Sequence, residues 1–350
     1  MSADAARRGI AVFGTTLEAM AAAAEDADAA GFDAIWTSEL YNRTATVALA
    51  AFAPRTERAR LGSGIIYGVG RSPLMLAAEA RDLDELSGGR LILGVGNGTR
   101  RMVSDWHGLD PASPAGRIEE LVPLLRRLLN LAEEPVDHEG RFYRVKIASL
   151  EDGAAALARP IPIYTAGANP RMIESAGRVA DGLLAHTMCT PGYLAEVARP
   201  AVKRGAEHAG RDPAEVAIAT YALACAAEDA DLARREAAAM IAFYGSVKSY
   251  GAVFEQRGFG AEAEAIRAAF ATRDLEGMVA AVSEPMVDEF ANAGTPAEVS
   301  ERLRRYDGVV DEVVLSVPSF RVGPERVAEN LSLLTACCGS RGSDRPARPS

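Results

Sequence analysis

Lysine is nearly absent from this sequence: only Lys146, Lys203 and Lys248 carry an ammonium group, and every other cationic side chain of fixed charge is arginine. There is no basic excess of any kind. Against 48 Asp and Glu stand 38 Lys and Arg, a formal net charge of −10. General nucleic-acid binding, which needs clustered cations to neutralise phosphates, is therefore disfavoured, and any anion must be met locally. Cysteine is sparse, and Cys189, Cys225, Cys337 and Cys338 show neither CxxC spacing nor a paired framework, which suits a reducing cytoplasm. His107, His138, His186 and His208 have no ligand spacing with those cysteines, so no metal site is expected. No window reaches about 18 uninterrupted apolar residues. The opening "MSADAARRGIAVFG" has arginines but no apolar stretch of about 7 to 15 residues ahead of a cleavage site. Neither export nor contact with a membrane is expected, and the expected location is cytoplasmic.

The rest is an ordinary globular mixture, 49% hydrophobic and 25% charged over 350 residues. That length suits one large α/β barrel or two medium domains. The order of segments decides between them. Short β-rich runs at 9–13, 33–37, 59–66, 90–96, 161–167, 181–187, 215–225 and 312–318 are each followed by an Ala/Leu/Glu/Arg segment of helical period. Eight strand–helix units are the number that closes a (β/α)8 TIM barrel, so one α/β barrel over residues 1–336 is expected, with 337–350 as a disordered Pro/Gly-rich tail. "VDHEGRFYRV" (136–145) predicts a small hairpin turning at Glu139-Gly140, and 244–290 a helical insertion between strands seven and eight that adds no strand. Thr295-Pro296 with Glu298 marks a helix start.

The run Gly94-Val95-Gly96-Asn97-Gly98 poses the functional question. A dinucleotide fingerprint needs G-x-G-x-x-G opening directly into a helix. Here the spacing is G-x-G-x-G, and Gly108, Pro111 and Pro114 break up the next segment before a long helix can start. No Gly-Lys-Ser/Thr makes a P-loop either. In a barrel the same run is the exit of strand four, on the face where barrel enzymes place their chemistry. Small residues there let main chain approach a flat ring or a phosphate, with Asn97 and Thr99 adding neutral polar groups; taken alone, a tight strand exit without a ligand explains the run equally well. Three other exits are similar. Strand two ends in Ser38 and Glu39, strand three in Ser63, Gly64 and Ile65, and strand five in Gly167, Ala168 and Asn169 before a helix with Arg171 in its first turn, an arrangement able to receive an anion.

These segments in this order resemble the bacterial luciferase-like family of flavin- and F420-dependent oxidoreductases. The residues that carry the resemblance are "GFDAIWTSE" (31–39), "TERARLGSGI" (56–65), "RSPLMLAAEARDLDELSGGRLILGVG" (71–96), "RPIPIYTAGANPRMIESAGRVADGLL" (159–184) and "GTPAEV" (294–299). The resemblance implies a flavin-type ring at the C-terminal face, a homodimer, and a non-proline cis peptide at Gly64-Ile65. It implies further that Ser38 and Glu39 lie near the ring, that Asn97 and Gly98 flank it, and that Thr165, Ala166, Gly167, Ala168 and Asn169 hold its ribityl-phosphate side. One departure matters: Glu39-Leu40 stands where the sugar-phosphate dehydrogenases of the family have an Asp-His pair, so "SELYNR" is closer to the methylene-tetrahydromethanopterin reductase-like group.

The expected chemistry is hydride transfer between coenzyme F420 and a small-molecule substrate stacked on it, with the protein supplying position, exclusion of water and one proton donor or acceptor. Glu39 is the first candidate for that proton, since a carboxyl group beside an apolar ring has its charged form disfavoured, and His186 is the second. Either residue is equally well read as structural. Arg43, Arg100 and Arg101 are candidates for the anionic tail of F420. The alternatives are FMN in a two-component monooxygenase, and a non-catalytic flavin-binding protein.

Overall fold

The computed structural model describes residues 5–148 and 156–339. Among them, eight parallel strands close on themselves: β1 (Arg7–Ala11), β2 (Ala34–Thr37), β3 (Arg60–Ser63), β4 (Leu91–Gly96), β5 (Ile163–Gly167), β6 (Gly182–Ala185), β7 (Ala217–Ala226) and β8 (Glu312–Ser316). Each pairs with the next in sequence until β6 meets β7, β7 meets β8 and β8 returns to β1. The expected (β/α)8 barrel is thus the fold. None of the described helices is long and apolar enough to cross a membrane.

Local chemistry explains where the helices begin. Ser72, Asn169, Thr190 and Thr295 each accept the backbone N–H three residues on, and each is followed by proline at the first helical position. The cap supplies an acceptor for an orphan donor, and the proline sacrifices an N–H that had no partner. Thr295 and Glu298 complete a reciprocal capping box.

Alternation along the strands sorts residues into two layers. Ile10, Ile35, Leu61, Leu93, Ile163 and Leu183 face the surrounding helices in the main core. Ala11, Ala34, Trp36, Ile92, Tyr164, Leu184, Ala219 and Val314 fill the barrel interior. Trp36 and Tyr164 do most of the filling, with ring centroids 6.1 Å apart. A Cβ on Gly62 would lie 2.3 Å from the Trp36 ring, and one on Gly182 2.6 Å from Tyr164, so these strand positions take no side chain. Beneath them Glu312 is 1% exposed and accepts the Trp36 indole N–H at 2.7 Å while pairing with Arg60. The bottom of the barrel is closed by charge and the middle by aromatic rings.

The structure departs from the sequence reading in five places. The third strand, expected as one run over 59–66, ends at Ser63; after a cis Gly64-Ile65 bond, Ile66–Tyr67 resumes pairing with β4. The loop after β4 contains a helical turn, Met102–Trp106. The hairpin pairs Val136–Glu139 with Arg144–Ile147, its return strand shifted beyond the expected end because the Glu120 carboxylate accepts the N–H groups of Phe142 and Tyr143 at 3.1 and 2.8 Å. The segment after β7 does consist of helices (Gly251–Gln256, Gly260–Ala271, Leu275–Ala280, Glu284–Phe290), but a short strand, Ala291–Gly294, succeeds them and pairs with β7. "ANAG" has no β-branched or aromatic residue to announce it. Finally, the last helix, Pro324–Cys338, takes in Cys337 and Cys338, which the sequence pattern assigns to the tail; residues 340–350 of that tail lie outside the described residues.

Glu312→Ala is expected to strand the Trp36 indole N–H and the Arg60 charge, lowering the unfolding free energy by about 2–4 kcal/mol in a urea titration. Glu312→Gln, which keeps an acceptor for Trp36, should recover about half of that loss. An alanine variant as stable as the parent would contradict this closure of the barrel floor.

Candidate active site at the barrel mouth

One level above Trp36, Tyr164 and Leu184, the inward row of the strand exits consists of Ser38, Gly64, Gly96, Ala166, His186 and Tyr221, positions fixed by the same alternation. On the β3–β5 side this row is almost bare main chain. A Cβ on Gly96 would come within 2.4 Å of Ile65 Cδ1 and 3.2 Å of Ala166 Cβ, and one on Gly64 within 2.0 Å of the Tyr221 hydroxyl. The shelf is held in place by its neighbours. The Gly64 carbonyl accepts hydrogen bonds from the Ser38 hydroxyl and, at 3.1 Å, from the Tyr221 hydroxyl, and Gly64 N–H donates to Thr37 O at 2.8 Å.

Glu39 lies beside the shelf, 7% exposed. Its backbone N–H donates to Ile65 O at 3.0 Å, and its Oε1 accepts from Arg71 Nη1 at 2.6 Å and from Tyr67 N at 3.4 Å. Arg71 also pairs with Glu79 at 3.2 Å. The apolar surroundings expected for Glu39 are replaced by an ion pair. Among the described residues, however, neither Glu39 Oε2 nor Asn97 Oδ1, both buried, has a hydrogen-bond partner. Buried acceptors without a partner are few in a folded protein, and these two stand just after β2 and β4.

Beside Glu39, the loop after β4 folds against the loop after β2. Trp106 meets Tyr41 edge-on at 5.7 Å and His107 meets Tyr67 at 5.6 Å. With Glu39, Leu40, Thr44, Gly70 and Arg71 they line a cleft of about 410 Å³. Burial, with a smaller contribution from Glu39, pushes the Tyr67 hydroxyl up to about 12, so it stays a neutral phenol.

The remaining sequence-predicted residues divide. Asn97 ties the β4 exit to the following helix through Nδ2 to Pro114 O at 2.6 Å; Gly98 sits at φ +69° against Tyr67; Thr99 Oγ1 accepts Met102 N at 3.2 Å and so starts the helical turn. Ala168 O accepts the Tyr193 hydroxyl at 2.8 Å, and Asn169 caps its helix through Met172 N at 3.0 Å. Three expectations need correcting. The Ser63 hydroxyl is consumed in the β3–β4 seam, accepting Gly94 N at 2.8 Å and donating to Gly94 O at 2.9 Å. Thr165 and Gly167 alternate with Tyr164 and Ala166 and so lie on the helix-facing side of β5. Arg171 is gripped by both oxygens of Glu119, at 2.7 and 2.9 Å. At the rim, Arg43 donates to Thr15 O and Arg101 pairs with Asp105.

His186 stacks on Tyr250 at 4.0 Å and meets Tyr244 edge-on at 4.7 Å. Burial pushes its pKa down to about 3, so it is no cationic acid at neutral pH, a correction to the proton-donor role expected of it. The sequence reading misses Tyr221, Tyr244, Tyr250 and Arg71. Tyr221 is detectable as the lone aromatic at an inward position of the alanine-rich β7; nothing local marks Arg71, whose partner stands 32 residues earlier.

A closed (β/α)8 barrel with small residues and a cleft at its C-terminal mouth has the architecture of a barrel enzyme, and comparison with known proteins specifies the family. The chain belongs to the luciferase-like monooxygenase family, whose sequence model matches residues 3–312. It is 34% identical over 291 residues to an uncharacterised protein of Mycobacterium tuberculosis, covering 81% of this chain and 85% of that one. It is 32% identical over 305 residues to the 5,10-methylenetetrahydromethanopterin reductase of Methanolobus tindarius, covering 86% and 89%. Among solved structures, the coenzyme F420-dependent tetrahydromethanopterin reductase of Methanopyrus kandleri superposes with a TM-score of 0.80 at 26% identity, covering 96% and 98% of the two chains. A monooxygenase from Streptomyces bottropensis superposes with a TM-score of 0.67 at 25% identity, covering 95% and 98%.

Two measurements check this site. In a double-mutant cycle, Arg71→Met and Glu39→Gln should each destabilise but show a coupling of about 1–3 kcal/mol, because the second change removes the charge the first leaves unpaired; strictly additive effects would mean the pair is not formed. The second concerns pH. Folded His186 stays neutral down to about pH 3 while the unfolded side chain takes up a proton near 6.5. Its contribution to stability is therefore complete above pH 6.5 and is lost as pH falls towards 3, at up to about 1.4 kcal/mol per pH unit. Urea unfolding at about pH 7.5 and about pH 5 should show a steeper acid loss for the parent than for His186→Phe; parallel losses would refute it.

Proposed function

We propose that this protein is an F420-dependent oxidoreductase acting on a small organic substrate. Coenzyme F420 supplies a deazaflavin ring that exchanges hydride. The observation that carries the reading is the run of small residues at the exits of β3 to β5, Gly64, Gly96 and Ala166, of which Gly64 and Ala166 are partly exposed at the mouth while Ile65 and the Tyr221 hydroxyl pack against the glycines. A flat heterocycle fits that combination. The likeness to the reductases from Methanolobus and Methanopyrus supports F420 as the heterocycle.

Within this reading each residue has a task. The Ser38 and Tyr221 hydroxyls hold the Gly64 carbonyl and so keep the shelf flat. Asn97 offers an acceptor at the ring edge, and the Ala168-Asn169 turn receives the ribityl side. Glu39 Oε2 accepts a proton or a polar hydrogen while Arg71 balances its charge. Tyr41, Trp106, Tyr67 and His107 wall the substrate and exclude water. A homodimer in the cytoplasm belongs to the same reading. The second reading, an FMN-dependent monooxygenase, has the description of the matching family and the Streptomyces neighbour in its favour.

Titration of the purified protein with F420 and with FMN, followed by fluorescence quenching, tests the choice. Micromolar binding of F420 and not FMN is expected; tight binding of FMN alone, with oxygen consumption once the flavin is reduced, would establish the second reading. Gly96→Ala, whose Cβ presses on the tip of the Ile65 side chain, should weaken quenching while leaving the circular dichroism spectrum unchanged, and Glu39→Gln should keep affinity but lower turnover about tenfold or more.

A further inference from the structure

His186 occupies the mouth by strand alternation. Leu184 belongs to the interior and Ala185 to the outer core, so the residue after them stands on the inward row one level above Leu184. Leu184 in turn abuts the shelf, its Cδ2 lying 3.0 Å from where a Cβ on Gly64 would be. Three contacts fix the imidazole: the face of Tyr250 at 4.0 Å and 19°, the edge of Tyr244 at 4.7 Å and 89°, and the Met188 backbone N–H, which donates to Nδ1 at 3.2 Å. Because Nδ1 is an acceptor, the proton of the neutral ring sits on Nε2. Nε2 has no partner among the described residues, and the side chain remains partly open.

We propose that His186 presents Nε2–H as a fixed, uncharged hydrogen-bond donor to a carbonyl oxygen of the heterocycle on the shelf, and neither gains nor loses a proton during turnover. The inference rests on the function proposed above but differs from it in assigning His186 a binding role without proton transfer. The groups around the ring agree with this. Tyr244 and Tyr250 pack on it, Cys189 stands three residues further along the chain, and Tyr67 lies beyond Tyr250. Burial pushes Tyr244, Tyr67 and Cys189 to about 12 and Tyr250 upward. All four are uncharged at neutral pH, and burial is the only influence resolved on the imidazole itself. An imidazolium there would have no counter-charge. A neutral donor aimed at a developing negative charge costs no reorganisation in such a site.

Nitrogen-15 NMR of the imidazole in the ligand-free full chain reads the state of the ring directly. One neutral tautomer protonated at Nε2 and unchanged from about pH 5 to about pH 8 is expected; a proton on Nδ1, or titration near the free-histidine value, overturns the proposal. Fluorescence titration then reads the role. His186→Phe, which keeps a flat ring for stacking but no donor, should bind F420 about five- to tenfold more weakly, and His186→Gln, which restores an N–H, within about twofold of the parent. Equal binding by His186→Phe and parent also overturns it. If the parent binds neither F420 nor FMN, the proposed function fails and this donor role fails with it, whereas binding by the parent with no effect of His186→Phe removes the donor role alone.

Discussion

Because successive side chains of a strand point to opposite faces, a barrel filled at one level by Trp36, Tyr164 and Leu184 must present at the next level whatever stands two residues further along each strand. Here those residues are Ser38, Ala166 and His186, with Gly64 and Gly96 on the strands between. The mouth therefore inherits its composition from the pleat. Trp36 can occupy its level only because Gly62 leaves space on β3 and because Glu312 satisfies its indole N–H at 2.7 Å from below. The position of the shelf thus depends on a hydrogen bond at the opposite end of the barrel, which fixes how high the aromatic plug stands.

Charge in the mouth is arranged as sparingly as side-chain volume. Glu39 and Arg71 face each other, and elsewhere in the mouth burial keeps the Tyr67 phenol, the Cys189 thiol and the His186 imidazole neutral, while His107 stands exposed at the rim of the cleft. In such surroundings an unpaired charge is costly, and a fixed dipole acts more strongly than it would in water. Glu39, with one oxygen on Arg71 and the other buried without a hydrogen-bond partner among the described residues, is therefore a strong acceptor in the mouth.

The barrel is legible in the sequence because each strand is a short β-rich run followed by a helix, several of them with their own caps, so local chemistry and global fold agree. The shelf is legible for the same reason: Gly64, Gly96 and Ala166 are small at strand ends. The sequence does not reveal which face each residue takes where a strand ends. Ser63 looks like a binding residue among the small and polar strand exits, and Thr165 is implied as one by the family resemblance, yet one is spent on Gly94 and the other faces the helices. Arg71 escapes notice because its importance comes from a partner 32 residues away. The strand at Ala291–Gly294 escapes because tertiary pairing with β7, and not residue propensity, makes it a strand.

The arginines that composition places near the mouth illustrate the same limit in energetic terms. Arg171 stands at the start of the helix after β5, where an anion would be welcome, but its guanidinium already holds both oxygens of Glu119 at 2.7 and 2.9 Å. An incoming phosphate would have to replace a bidentate carboxylate with a bond of the same kind, gaining only the difference between two charge-assisted pairs. Arg101 and Arg43 are committed in weaker ways, to Asp105 within one exposed helical turn and to the carbonyl of Thr15. Such exposed contacts contribute under about 1 kcal/mol, so these two can be recruited by an anionic tail at little cost. Of these arginines, Arg43 and Arg101 on the exposed rim after β2 and β4 are therefore the ones that an anion could claim most cheaply, whereas the Gly64 main chain is held by Tyr221 and Ser38.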